Sequence, residues 1–141
     1  MHNKWDGGNM SYTEWNIIPN ASVNELEFGM KRSVVWETLG KPRRVFRKSF
    51  NSANTTDDYS DFHVYYSAQD QLEAIEFFGN DICLFINSKQ VFPGSLSTTK
   101  TILPDLEECF GSYISKAASI GIFSEDEEIE SILVGCKDYY K

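Results

Sequence analysis

Residues 62–78 and 119–134 read as the same object written twice. In the first, Phe62-His63-Val64-Tyr65-Tyr66 and Leu72-Glu73-Ala74-Ile75-Glu76-Phe77-Phe78 flank the polar residues 67–71. In the second, Ser119-Ile120-Gly121-Ile122-Phe123 and Ile129-Glu130-Ser131-Ile132-Leu133-Val134 flank residues 124–128. Short runs of β-branched and aromatic residues around a polar connection mark an antiparallel hairpin. Residue class agrees by position as well: Tyr66-Ser67 set over Phe123-Ser124 brings Asp70 over Glu127, Leu72 over Ile129, Glu73 over Glu130 and Ile75 over Ile132. Two such hairpins commit the chain to an antiparallel sheet, and their agreement points to an internal duplication.

The intervening segments add a helix to each hairpin. Val34, Val35 and Leu39 recur at helical spacing, and Gly40 before Lys41-Pro42 is a helix stop, so the spacing predicts a helix over residues 31–39. A strand over residues 43–50 and a polar loop over residues 51–58 follow. Further strands are expected over residues 81–86 and 90–92, turning at Asn87-Ser88. A second helix is expected over residues 95–103, capped by Ser95 or Ser97 and stopped by Pro104. Shifting the first helix onto the second puts Phe28 over Phe92 and Leu39 over Leu103. The expected fold is α+β: two tandem helix-plus-antiparallel-hairpin units forming a sheet with short helices packed on one face. Residues 1–12 read as a flexible polar tail with an anchor at Trp5, and residues 13–141 as a single domain of two repeats, about 13–86 and 87–141. The 141 residues suffice for one core.

The run from Phe28-Gly29-Met30 through Val35 to Leu39-Gly40-Lys41-Pro42 resembles the opening of domains of the β-lactamase-inhibitor-protein type and of the related small outer-membrane assembly lipoproteins. Both place a short helix against an antiparallel sheet, and the inhibitors do so in tandem. The resemblance covers about fifteen residues and the following hairpin, and it speaks to fold more than to function. Lys31 stands where those families often carry a capping Thr, a loss of about 1 kcal/mol unless Ser33 or the preceding turn compensates. The second copy, Phe92-Pro93-Gly94, lacks the Gly-Met pair, and no lipid-anchor signal is present. Trp15-Asn16-Ile17-Ile18-Pro19 and Asp57-Asp58-Tyr59 resemble, more loosely, bacterial toxin-immunity proteins such as those of contact-dependent growth inhibition.

Charge narrows the partners. The net charge of −8 disfavours direct contact with nucleic acid or an anionic membrane and favours a basic protein surface. Residues 31–48 hold seven basic side chains against Glu37, and residues 57–81 hold seven acidic ones with no Lys or Arg. Residues 105–141 hold nine acids against Lys116, Lys137 and Lys141. The N-terminus lacks the apolar stretch of a secretory signal, and no apolar run reaches the ~18 residues of a membrane span, so a cytoplasmic protein is expected. Cys83, Cys109 and Cys136 are odd in number and widely spaced, which argues for free thiols over disulfides or a metal site.

No constellation of catalytic type stands out. His63 shares a strand face with Asp61, the pattern of a base oriented by a carboxylate, but no third group lies near and a surface strand pair is the preferred reading. Asp57, Asp58 and Asp61 have the composition of a hard-cation site without the Gly and Glu of an EF-hand loop, and a solvated acidic loop is the preferred reading. No cofactor and no catalytic residue are therefore expected. Residues 72–78 are partly apolar on both faces, which requires either a bulge or an open sheet face. The expected function is that of an immunity protein that covers the active site of a cognate toxin, a basic nuclease by class, with acidic and aromatic side chains. The expected contact residues are Asp57, Asp58, Asp61, Tyr65, Asp70, Glu73, Glu76, Phe77, Glu125, Asp126, Glu127 and Glu128. The alternative is a small-molecule-binding or self-associating structural module that uses an open sheet face.

Overall fold

A computed structural model of the chain describes residues 13–141; the expected tail over residues 1–12 and the anchor at Trp5 lie outside the described residues. In chain order the first half comprises β1 (Glu14–Ile18), β2 (Ser22–Val23), β3 (Leu26–Glu27), α1 (Arg32–Leu39), β4 (Arg44–Phe46), β5 (Thr56–Asp58), β6 (Phe62–Tyr66) and β7 (Leu72–Phe77). The second comprises β8 (Cys83–Ile86), β9 (Lys89–Phe92), α2 (Leu96–Ile102), β10 (Glu107–Cys109), β11 (Ser112–Ser115), β12 (Ile120–Glu125) and β13 (Glu128–Gly135). The chain is a mixed α+β fold made mainly of sheet.

The strands form two sheets, not the single one expected. The larger has the order β10-β11-β12-β13-β7-β6-β5-β4, and the smaller β3-β2-β1-β8-β9. The larger order is symmetric about its centre, four strands from each half, whereas the smaller takes three strands from the first half and two from the second. β7 and β13, the last strand of each half, meet antiparallel in the larger sheet, and β1 and β8, the first strand of each half, meet parallel in the smaller. Each half thus carries a helix and a four-stranded meander, preceded by three short strands in the first half and by a two-stranded hairpin in the second, a larger unit than the helix and hairpin expected. The difference has a simple origin. Thr56-Asp57-Asp58 and Glu107-Glu108-Cys109 carry no apolar alternation, so neither β5 nor β10 announces itself as a strand.

The helix starts are held in the same way in both halves. The Arg32 amide donates to the Asp70 carbonyl and the Leu72 amide to the Met30 carbonyl; the Leu96 amide donates to the Glu127 carbonyl and the Ile129 amide to the Gly94 carbonyl. Lys31 supplies no side-chain cap to α1, and it is the hairpin tip, not Ser33, that satisfies the first turn. Ser95 caps α2 by accepting from the Thr98 amide. At the far end of α1, Gly40 takes φ 85°, a left-handed value that glycine adopts without strain.

The core lies between the two sheets. Trp15 from β1 packs against Phe62 and Phe77 of the larger sheet, with centroids 4.9 and 5.2 Å apart, and Tyr59 stacks on Phe62 at 5.1 Å. Val35 and Leu39 of α1 and Leu96 of α2 join the same cluster. β6 and β7 keep one inward face because their register shifts: Tyr65 opposes Ala74 but Tyr66 opposes Leu72, so Glu73 is an extra residue. This bulge resolves the two-faced apolar pattern of residues 72–78, turning Leu72, Ile75 and Phe77 all inward.

Candidate partner-binding surface

The two oppositely charged segments of the first half fold onto each other. Asp57 is fully buried. Arg32 Nη2 donates to its Oδ1 at 2.6 Å, and Trp36 Nε1 and the Tyr66 hydroxyl donate to Oδ2 at 2.7 Å each. The guanidinium also lies 4.3 Å over the Tyr66 ring. Asp58, on the opposite face of β5, accepts from Arg43 Nη2, Arg44 Nε and the Ser60 amide at 2.7, 2.9 and 2.8 Å. Burial works against its charge, but these donors outweigh burial and hold its pKa down to about 2.

Several expected contact residues are therefore interior. Asp57, Asp58, Asp61 and Phe77 are all buried, and the expectation of a solvated acidic loop at Asp57, Asp58 and Asp61 is corrected. The physical reason is local: β5 runs between β4 and β6, within reach of the arginines of α1 and β4. Charge counts along the chain report sign but not pairing. Asp70 and Glu127 remain exposed yet act as fasteners. Asp70 Oδ1 accepts from Arg32 and Asn54, and Glu127 Oε1 accepts from the amide and hydroxyl of Ser97.

The outer face of the larger sheet holds a second polar cluster. The Tyr65 hydroxyl donates to Glu76 Oε1 at 2.5 Å and accepts from Lys48 Nζ at 3.0 Å. Burial and the Glu76 carboxylate both push the Tyr65 pKa up. His63 sits between cross-strand neighbours Asp58 and Glu76, edge-on to Phe46 and Phe78. Burial lowers its pKa against the pull of the two carboxylates. The carboxylate 3.7 Å from its Nε2 is Asp58, already engaged by two arginines.

Tyr139 and Tyr140 lie across the middle of this face. A Cβ on Gly135 would come 2.5 Å from Tyr139 Cγ, and one on Gly121 would come 2.3 Å from the Tyr140 hydroxyl. Those two glycines form the seat of the two rings. Burial pushes the Tyr140 pKa up to about 12. Comparison of the chain with protein-family models, curated proteins and solved structures gives no match, so the surface is read from its own chemistry.

Glu125, Asp126, Glu128 and Glu130 are exposed around the β12–β13 turn, beside the partly exposed Phe123. Among the described residues none of these four carboxylates has a cation within 4 Å, in contrast to Asp57 and Asp58. Glu73 is half-buried at the bulge, next to Tyr139. Sequence reasoning missed Arg32, Trp36, Lys48 and the tyrosine pair. Among the described residues, no group of three or more His, Cys, Asp and Glu side chains is placed to hold a metal ion, and no helix is long and apolar enough to cross a membrane.

Proposed function

We propose that the chain is an immunity protein, one that binds a cognate bacterial toxin with a basic active-site surface, a nuclease by class, and carries out no reaction of its own. The observation that carries this reading is the uncompensated acidity of the second meander. Glu125, Asp126, Glu128 and Glu130 project from one hairpin with no cation within 4 Å among the described residues, while Asp57 and Asp58 of β5 are spent inside the molecule. Exposed carboxylates spaced along a hairpin mimic backbone phosphates for a cleft built to bind nucleic acid, and they steer encounter with it. Phe123 beside them is the apolar anchor such a contact needs. The cytoplasm is the compartment in which such an inhibitor protects its own cell.

Two further features support a binding role over an enzymatic one. Asp58 beside His63 is held ionised by Arg43 and Arg44, which suits a structural charge pair better than the orienting carboxylate of a base. The outer face is already occupied at its centre by Tyr139 and Tyr140, which leaves little open apolar area for a small ligand. In this reading the repeated helix-start hydrogen bonds descend from duplication of one helix-meander unit. Co-expression with the product of the adjacent reading frame tests the proposal. Copurification of the two and rescue of cells from that product are the expected results; neither complex nor rescue would refute it.

A further inference from the structure

We propose that copies of this chain associate head to tail, the acidic edge strand β10 of one copy adding to the basic edge strand β4 of the next. Among the described residues β4 and β10 are the two ends of the larger sheet. An edge strand presents unpaired backbone groups and is a template for another strand. Every neighbouring pair in this sheet is antiparallel, and there are eight strands. β4 and β10 consequently run in opposite directions. A copy set end to end, with the same face outward, brings its β10 antiparallel to β4 and continues the ladder without a break.

The side chains at the two ends are complementary in charge. β4 carries Arg44 and is flanked by Arg43, Arg47 and Lys48, all exposed; β10 carries Glu107 and Glu108, with Asp105 just before it, also exposed. Arg43 and Arg44 keep 61% of their side-chain surface open even while paired with Asp58. Charge placed on edges only to prevent aggregation works best with one sign at both ends, because like edges then repel. Opposite signs instead make each end attract the other.

Exposed apolar groups lie at both ends too: Val45 and Phe50 beside the basic strand, and Phe110 at the tip of the β10–β11 turn. Full overlap of the two three-residue strands sets Phe46 opposite Glu107, Val45 opposite Glu108 and Arg44 opposite Cys109. Arg43, Arg47 and Lys48 flank one strand and Asp105 the other just beyond that overlap, where their opposite charges attract without a fixed register. Arg44 and Glu107 become diagonal neighbours, within reach of long side chains. So short a ladder makes a weak contact, and a head-to-tail operation closes into a ring or continues as a filament according to its rotation.

Sedimentation velocity of the chain alone, with reductant present so that exposed Cys109 forms no crosslink, tests the proposal. The average mass is expected to rise with concentration up to roughly millimolar protein at low ionic strength, and to fall back toward the monomer in about 0.5 M salt. Glu107→Arg/Glu108→Arg and Arg47→Glu/Lys48→Glu variants, checked for folding by circular dichroism, are each expected to lose most of the association. An equimolar mixture of the two is expected to regain it, because each variant's altered end then meets an oppositely charged one. A parent chain that stays monomeric throughout, variants that associate as the parent does, or a mixture that fails to recover association would each overturn the proposal. No partner protein enters the experiment, so its outcome is independent of whether the chain binds a toxin.

Discussion

Asp57 is the residue on which the first half turns, because three donors from two different elements converge on its carboxylate. Asp57→Ala leaves the Arg32 guanidinium, whose side chain is only 12% exposed, beside an empty space and without its closest counter-charge. Breaking a buried pair in this way costs about 3–5 kcal/mol, a large part of the ~5–15 kcal/mol that holds a domain folded. Urea unfolding should show that loss as a lower midpoint at unchanged slope. A loss below about 1 kcal/mol would mean that Arg32 simply swings out to water. Asp58 supplies a pH signature. Its folded pKa of about 2 lies below the ordinary 3.8, so its stabilisation is complete above pH 4 and is lost as pH falls from 4 toward 2. The amount is about 2 kcal/mol, and Asp58→Asn should flatten the stability curve in that window. Neither role was legible in the sequence. A pair of aspartates in a polar stretch looks solvated until the arginines of neighbouring elements are placed around it.

Elements were legible where they carry a periodic apolar face. α1 begins and ends within one residue of the spacing-based expectation, and β6, β7, β12 and β13 fall where the alternation put them. β5 and β10 were not, since one is a strand of buried charges and the other an exposed edge. Hidden too was the way hairpin tips hold helix starts, although the alignment of Asp70 with Glu127 already matched the two fasteners. Glu127→Ala removes both bonds to Ser97 and should speed hydrogen exchange at the Leu96–Ile102 amides of α2 while leaving α1 unchanged; equal acceleration in both helices would contradict a local clamp. Gly135→Ala drives a methyl group into Tyr139. Loss of exchange protection over residues 136–141, with the outer sheet face newly accessible, is the expected result, and unchanged protection would show that the ring shifts aside without release.

At the scale of the whole molecule, the uneven use of charge matters more than the total of −8. The first half spends Asp57 and Asp58 in Arg32–Asp57, Arg43–Asp58 and Arg44–Asp58 pairs, and the second leaves Glu125, Asp126, Glu128 and Glu130 exposed. Sequence alone marked both zones as acidic and had no means to rank them, because compensation across strands depends on the sheet order. The ranking is what turns a generally acidic chain into a specific proposal, that the β12–β13 turn and not residues 57–61 is the surface offered to a partner. The most direct test is association kinetics between the chain and the product of its adjacent reading frame, for the parent and for Glu125→Lys/Glu128→Lys. The parent should bind with a rate that falls steeply with salt, and the variant should associate roughly tenfold or more slowly at low salt. Binding by the variant at the parent's rate, or no binding by the parent at all, would contradict the account.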